Sequence, residues 1–264
     1  GLGFSLKWNM GWMHDFTEYM KLDPYFRKGA HYNMTFAMSY AYSENYILVL
    51  SHDEVVHLKC SMLNKMPGLG FDKFANLKAA YAFMIGHSGK KLLFMGSESA
   101  QFREWDFENE FEWFMVEEYE NHRNYQKFVK NLNHFYLDHP QLWENDFSWE
   151  GFNWISNDDY RQSIIIFRRI DRKGNELIVV CNFVPVGRTS YCFGVPQKGS
   201  YKEVFNSSSV DGSPITNGTV KSKAVAMHGF DNSICIDIPA YSVMFFEYKK
   251  PAEKKKKSES KTAK

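Results

Sequence analysis

The chain has few cysteines, no long apolar run and almost no net charge. Its four cysteines are scattered over 264 residues, with no CxxC pair and no His/Cys cluster at metal-ligand spacing. We therefore expect four reduced thiols and a cytoplasmic location. No apolar stretch reaches the roughly 20 residues that cross a bilayer, so no membrane segment is expected. With 32 basic against 31 acidic residues, the chain lacks the positive surplus typical of nucleic-acid-binding and membrane-surface proteins.

Motifs of several common enzyme classes are also missing. The sequence contains no GxSxG, no GxxxxGK[ST], no HExxH and no GxGxxG after a strand. These absences argue against serine hydrolases, P-loop nucleotidases, zinc proteases and dinucleotide-binding enzymes, and no metal or organic cofactor is expected. Aromatic residues make up 17% of the chain. A large core explains most of them, and some could stack on the flat faces of sugar rings.

Residues 1–140 alternate short apolar runs with helical patterns. Such alternation predicts βα units and a parallel sheet. The predicted strands are Leu2–Trp8, Tyr46–Leu50 and Lys90–Met95, and the predicted helices are Asp15–Met20, Asn33–Ser43, Phe74–Met84 and Asn121–Leu137.

Residues 141–249 change to a period of two. Ser163–Arg168 and Glu176–Cys181 flank the turn Asp171–Asn175, which predicts a β-hairpin. Further short alternating runs predict a β-sandwich with its own core. Residues 250–264 are rich in lysine and lack aromatic residues, so we expect a disordered tail.

Candidate chemistry stands directly after the predicted strand Tyr46–Leu50. Ser51, His52, Asp53 and Glu54 would project from its end. In parallel α/β barrels, catalytic groups gather at the carboxyl ends of strands. The pattern alone is equally typical of a structural aspartate. Retaining glycosyl transfer needs a nucleophile and an acid/base carboxylate about 5–5.5 Å apart, and a further carboxylate can stabilise the positive transition state.

The segment Ser51–His57 resembles the last of the four conserved segments of the α-amylase-type enzymes, in the form found in glycogen branching enzymes. The resemblance implies that His52 and Asp53 bind the transition state. It also implies a fold, namely the last strands and helices of a (β/α)8 barrel in residues 1–140, followed by the β-sandwich.

Two flanking segments carry the same resemblance. Lys7–Met13 matches the family's Lys-Trp-Asn-Met-Gly-Trp-Met, which implies that Trp8, Asn9 and Trp12 line a glucan groove. From the pattern alone, a tight turn with buried tryptophans is the alternative. Leu93–Glu98 is the third segment. It adds Glu98 as a candidate sugar contact, although a glutamate at a strand end is more often structural.

The chain departs from the family pattern at two places. Leu58 stands where the family usually has glycine, and Ser97 with Ser99 replaces a usual glutamine and phenylalanine. Loss of a glycine in the loop after Asp53 predicts an altered backbone there.

The resemblance implies the C-terminal part of a 1,4-α-glucan branching enzyme, which transfers α-1,4-glucan segments to 6-hydroxyls. Its substrate would be an α-1,4-glucan such as amylose or glycogen. The family's nucleophile and acid/base segments would precede Gly1, so we expect the chain to need the N-terminal part of its own enzyme and to be inactive alone. An α-glucan hydrolase of the same clan and a non-catalytic glucan-binding module are the alternatives.

Overall fold

The computed structural model describes residues 3–249, which form a helical half followed by an antiparallel β half. The helical half contains three strands: β1 (Lys7–Trp8), β2 (Tyr46–Leu50) and β3 (Lys90–Leu93). Its helices are α1 (Met10–Lys21), α2 (Tyr32–Thr35), α3 (Met62–Lys65), α4 (Phe71–Gly86), α5 (Phe114–Glu118) and α6 (Glu120–Asp138).

The three strands form one parallel sheet in the order β1-β2-β3. β2 has the predicted bounds. The predicted strand Leu2–Trp8 is paired only at Lys7 and Trp8, because β2 is its one partner in the described residues. The predicted helix Asn33–Ser43 is reduced to the single turn α2 and a 3-10 helix, Phe36–Ser39.

Helix α4 is the central element of the helical half. Every residue from Phe74 to Gly86 is buried, because α4 contacts α6 and also packs against strands of the β half. The helix ends at Gly86, where an added Cβ would lie 3.1 Å from Val179 Cγ1 and 3.3 Å from a ring carbon of Phe245. Glycine therefore permits the close approach of this helix to the sheet.

The β half begins at Phe152 and is entirely antiparallel. Six strands form a sheet in the order β4-β5-β6-β11-β8-β9, and two strands, β10 and β7, form a second sheet. The bounds are β4 Phe152–Ser156, β5 Ile164–Ile170, β6 Glu176–Asn182, β7 Arg188–Val195, β8 Ser200–Asn206, β9 Thr219–Lys221, β10 Asn232–Ile238 and β11 Ser242–Lys249. The predicted hairpin is β5-β6, and the expectation of an all-β second half is confirmed.

The six-stranded sheet is covered on both faces. One face packs on β7 and β10 through a core that includes Ile166, Val180 and Ile236. The other face, which includes Phe167 and Phe245, belongs to the main core of the helical half. The expectation that residues 141–249 have a self-sufficient core is therefore not met, because one full face of their main sheet is buried by helices.

The expectation of four free thiols is wrong for this structure. Cys192 on β7 lies opposite Cys235 on β10, with their Cα atoms 4.0 Å apart, and the two form a disulfide. Cys60 is free and exposed, and Cys181 is free and buried, which raises the pKa of its thiol. Cys235 is only half-buried, since its buried neighbours Ile234 and Ile236 face the core.

Within residues 3–249, no helix combines the length and the apolar composition that a membrane span requires. The predicted tail, residues 250–264, lies outside the described part of the chain.

Candidate functional site

His52 and Asp53 lie where β2 ends, in a short 3-10 helix, His52–Glu54. Ser51 caps this helix: its Oγ accepts from the Asp53 N–H at 3.3 Å and donates to Asp53 Oδ2 at 3.2 Å. His52 Nε2 lies 3.2 Å from Asp53 Oδ1. The side chains of His52 and Asp53 are 45% and 43% exposed. The pair is thus held in place by its neighbours and remains open to a ligand.

The segment after β3 supports this pair. The ring of Trp105 meets the His52 imidazole edge-on at 5.7 Å, and Phe94 lies 6.1 Å from the same ring. The Trp105 N–H donates to the Val55 carbonyl at 2.7 Å. Because this bond fixes Trp105 against the loop after Asp53, the indole acts as a wall for His52. The sequence pattern had assigned no role to Trp105.

Glu104 holds the loop after the pair. Its two carboxylate oxygens accept from the backbone N–H groups of Cys60, at 2.6 Å, and Leu58, at 2.9 Å. These bonds, with the one to Cys60 strongest, lower the pKa of Glu104. Leu58 and Cys60 both have left-handed backbones, with φ of 67° and 65°. The backbone at Leu58 therefore keeps a conformation that suits glycine, although the side chain is leucine.

Glu54 differs from its neighbours because it is buried. It lies 3.7 Å from Lys59 Nζ and 3.8 Å from Lys65 Nζ, and burial lowers the pKa of Lys65. Glu54 thus ties the loop to α3 from inside and is not available to a substrate.

A groove of about 450 Å³ lies beside the Trp105 wall and includes Glu98. Its lining combines carboxylates and aromatic rings: Glu98, Glu104, Asp106, Glu110, Trp105, Phe107, Phe111 and Trp113. Phe107 is 80% exposed and Trp113 56% exposed. Sequence analysis missed this aromatic segment, and its only signal was the density of aromatic residues between Trp105 and Phe114.

The three candidates near β1 separate in the structure. Trp8 is 41% exposed at the end of β1. Asn9 is buried, and its Oδ1 accepts from the Trp12 N–H at 2.8 Å, which caps α1. Trp12 is buried and stacks on Phe16 at 4.7 Å. Only Trp8 offers a surface to a sugar here; Asn9 and Trp12 instead fix the turn from β1 into α1, the alternative that the pattern had left open.

In the described part of the chain, no group of three or more His, Cys, Asp or Glu side chains could hold a metal ion.

Comparison with known proteins places these residues in context. Residues 154–249 match the family described as the alpha amylase C-terminal all-beta domain. Over 255 residues the chain is 50% identical to the 1,4-alpha-glucan branching enzyme GlgB of Butyrivibrio fibrisolvens. That match covers 94% of this chain and 39% of the relative, so the chain spans about two fifths of the relative's length.

Solved structures of similar fold are alpha-amylases or related proteins. A variant of AmyP in complex with maltotriose aligns at a TM-score of 0.65 and 14% identity, over 94% of this chain and 51% of that one. The alpha-amylase from H. orenii aligns at 0.56 and 16% identity, over 94% and 49%. At such identities the likeness shows the fold alone. Together these matches confirm that the chain resembles the 1,4-alpha-glucan branching enzymes and that residues 154–249 form an alpha-amylase C-terminal all-beta domain.

Proposed function

We propose that this chain works as part of a 1,4-α-glucan branching enzyme, which cleaves an α-1,4 linkage and transfers the released segment to a 6-hydroxyl. The observation that carries the proposal is the 50% identity to a GlgB branching enzyme across 94% of the chain. The exposed pair His52 and Asp53 at a strand end supports it. The chemistry needs neither a metal nor an organic cofactor.

The fold proposed for residues 1–140 is the last part of a (β/α)8 barrel, with residues 141–249 as the C-terminal domain. The sheet order β1-β2-β3 supports this, because neighbouring strands in such a barrel are parallel and follow the chain. The apolar side chains of Leu6, Trp8 and Met10 are more than a third exposed around β1. We propose that the N-terminal part of the same enzyme covers them.

In the proposed reaction, Asp53 accepts hydrogen bonds from sugar hydroxyls and stabilises the positive charge of the oxocarbenium-like transition state. Ser51 and His52 fix the carboxylate, so it does not have to reorient as charge develops. Trp8 and Glu98 would contact the glucan. The nucleophile and the acid/base are assigned to no residue here. Exposed rings such as Trp113 would hold the acceptor chain, so that a sugar hydroxyl outcompetes water.

Substitution Asp53→Asn in the complete enzyme tests the role of the pair. We expect turnover to fall by about 10²–10³, because a preorganised charge is lost. The melting temperature should hardly change, since the side chain is 43% exposed and is paired only with its neighbours Ser51 and His52. Glu150→Gln, an exposed carboxylate in the β half, is the control. A variant that kept most of its branching rate would rule out the assignment.

Incubation with amylose tests the reaction class. The complete enzyme should create α-1,6 branches, detected by debranching and chain-length analysis, and shift the iodine stain. The 264-residue chain alone should leave the stain unchanged. Reducing ends without branches would favour the hydrolase. Binding without any reaction of the complete protein would favour the glucan-binding module.

A further inference from the structure

The largest cavity lies in the β half and shares no residue with the site at His52 and Asp53. Its volume is about 740 Å³. It is formed where the β5-β6 turn, the β7-β8 turn and the end of β11 meet, next to the 3-10 helix Pro140–Leu142. The residues that line it are Gln141, Gly174, Asn175, Glu176, Gln197, Glu247, Tyr248 and Lys249.

Two buried side chains of this lining carry oxygens without a partner in the described residues. Gln141 is 7% exposed, and its Oε1 accepts no hydrogen bond. Glu176 has a side chain that is 10% exposed; Arg168 binds its Oε1 at 2.8 Å, but its Oε2 accepts nothing. A buried acceptor without a donor costs about 1–3 kcal/mol. Both groups would therefore gain from a ligand that brings hydrogen-bond donors.

A preorganised aromatic ring completes the lining. The Tyr248 hydroxyl donates to the Lys198 carbonyl at 3.1 Å. The ring lies close to Gly199, where an added Cβ would come within 2.7 Å of a ring carbon. Tyr248 is therefore fixed before any ligand arrives. The exposed Gln197 uses only its backbone groups, which bond to Tyr201, so its side-chain amide is free in the described structure.

The chemistry of this lining excludes several ligand classes. Glu176 and Glu247 would repel an anion, and the polar lining does not suit an apolar molecule. No metal-binding group of three or more ligating side chains exists in residues 3–249. A neutral molecule with many hydroxyls fits best, because each hydroxyl donates to a carboxylate or amide oxygen and accepts from an amide N–H. Its C–H face could lie on Tyr248.

We propose that this cavity is a second, non-catalytic binding site for an α-glucan chain. The ligand class rests on the proposed function, whereas the site rests on the unpartnered acceptors and the fixed ring. A glucan held here would stay attached to the enzyme while the end of another branch reacts.

Native gel electrophoresis of the full chain, with and without glycogen in the gel, tests the site. Glycogen should slow the unchanged chain. Gln141→Leu and Glu176→Gln should each weaken the apparent affinity by about tenfold or more, since each removes or weakens a buried acceptor. Gln197→Ala serves as a further variant, because this exposed side chain carries little risk to folding. Thermal melting of each variant reports whether it is folded.

Two controls separate this site from the proposed catalytic one. Glu150→Gln and Asp53→Asn should be slowed by glycogen as much as the unchanged chain. An unchanged chain that glycogen does not slow would overturn the inference, as would lining variants that are slowed fully. Loss of binding in Asp53→Asn alone would overturn it as well. The branching assay with the complete enzyme is independent of all these outcomes.

Discussion

At the scale of single residues, Leu58 is held in a conformation that leucine disfavours. Its φ is 67°, and its side chain is 84% exposed, so no packing offsets the strain. The conformation persists because the Leu58 N–H donates to Glu104, which also accepts from Cys60. The loop beside Asp53 is thus set by one carboxylate and not by the intrinsic preference of its residues.

Substitution Leu58→Gly should stabilise the protein by about 0.5–1 kcal/mol. Glycine adopts a positive φ without a steric penalty, and that gain exceeds the entropy it adds to the unfolded chain. Urea unfolding measures the difference. Leu69→Gly is the matched control, because Leu69 is 85% exposed but is not left-handed, and it should be neutral or destabilising. Equal effects at both positions would mean that Leu58 is not strained.

At the scale of elements, the small sheet formed by β7 and β10 depends on a cross-link. Its buried face, with Phe193, Ile234 and Ile236, packs on the six-stranded sheet. Its other face carries Cys192 opposite Cys235. The disulfide joins residues separated by 43 positions. Such a link typically stabilises a fold by about 2–4 kcal/mol, because it restricts the unfolded chain.

Thiol titration of the unfolded protein, prepared without reductant, should detect two free thiols, those of Cys60 and Cys181. Reduction should raise the count to all four cysteines and lower the melting temperature. Cys181→Ala is a control that should lower the count by one without affecting the disulfide. Detection of four thiols before reduction would support the original expectation of reduced cysteines and a cytoplasmic location.

At the scale of the whole molecule, buried charges join the two halves. Arg169 of β5 is fully buried; it donates to the carbonyls of Gly86 and His87 at the end of α4, and to Asp146 Oδ1 at 2.6 Å. A cation at this place satisfies carbonyls that the helix leaves open. Arg27 makes a similar connection, since it donates to Asn76 of α4 and to the Phe183 carbonyl after β6. The halves therefore share both an apolar core and a polar one.

Substitution Asp146→Asn should destabilise the whole chain by about 3–5 kcal/mol at pH 7, because Arg169 is left buried without its counter-charge. Burial opposes ionisation of Asp146, but Lys91, Arg169 and Lys90 outweigh it and lower its pKa to about 2 from 3.8. The folded pKa is below the unfolded one. The charged Asp146 thus stabilises fully above about pH 4 and progressively less as the pH falls towards 2.

The difference in unfolding free energy between the unchanged chain and Asp146→Asn should therefore narrow by about 1 kcal/mol between pH 7 and pH 3. Urea unfolding at both values measures it. Asp158→Asn, at an exposed position in the β half, should show no such narrowing. A difference that widened in acid would contradict the lowered pKa.

The sequence by itself determined those features that depend on neighbours along the chain. Strand β2, helix α6 to within one residue at each end, and the β5-β6 hairpin follow from local periodicity and turn residues. The placement of His52 and Asp53 at a strand end also follows, because a strand that stops at Leu50 must release the next residues at its edge. The unusual backbone at Leu58 was visible as a departure from a family pattern.

Only the tertiary structure decided the features that join distant segments. The disulfide depends on the register between β7 and β10, and the burial of Trp12 depends on what packs over α1. The contact of Trp105 with His52 and the partnerships of Arg169 likewise join segments far apart in sequence. Periodicity reports which face of an element is apolar, but not which element covers that face. For the same reason the sequence indicated two halves with separate cores, whereas the fold buries one face of the main β-sheet under α4 and α6.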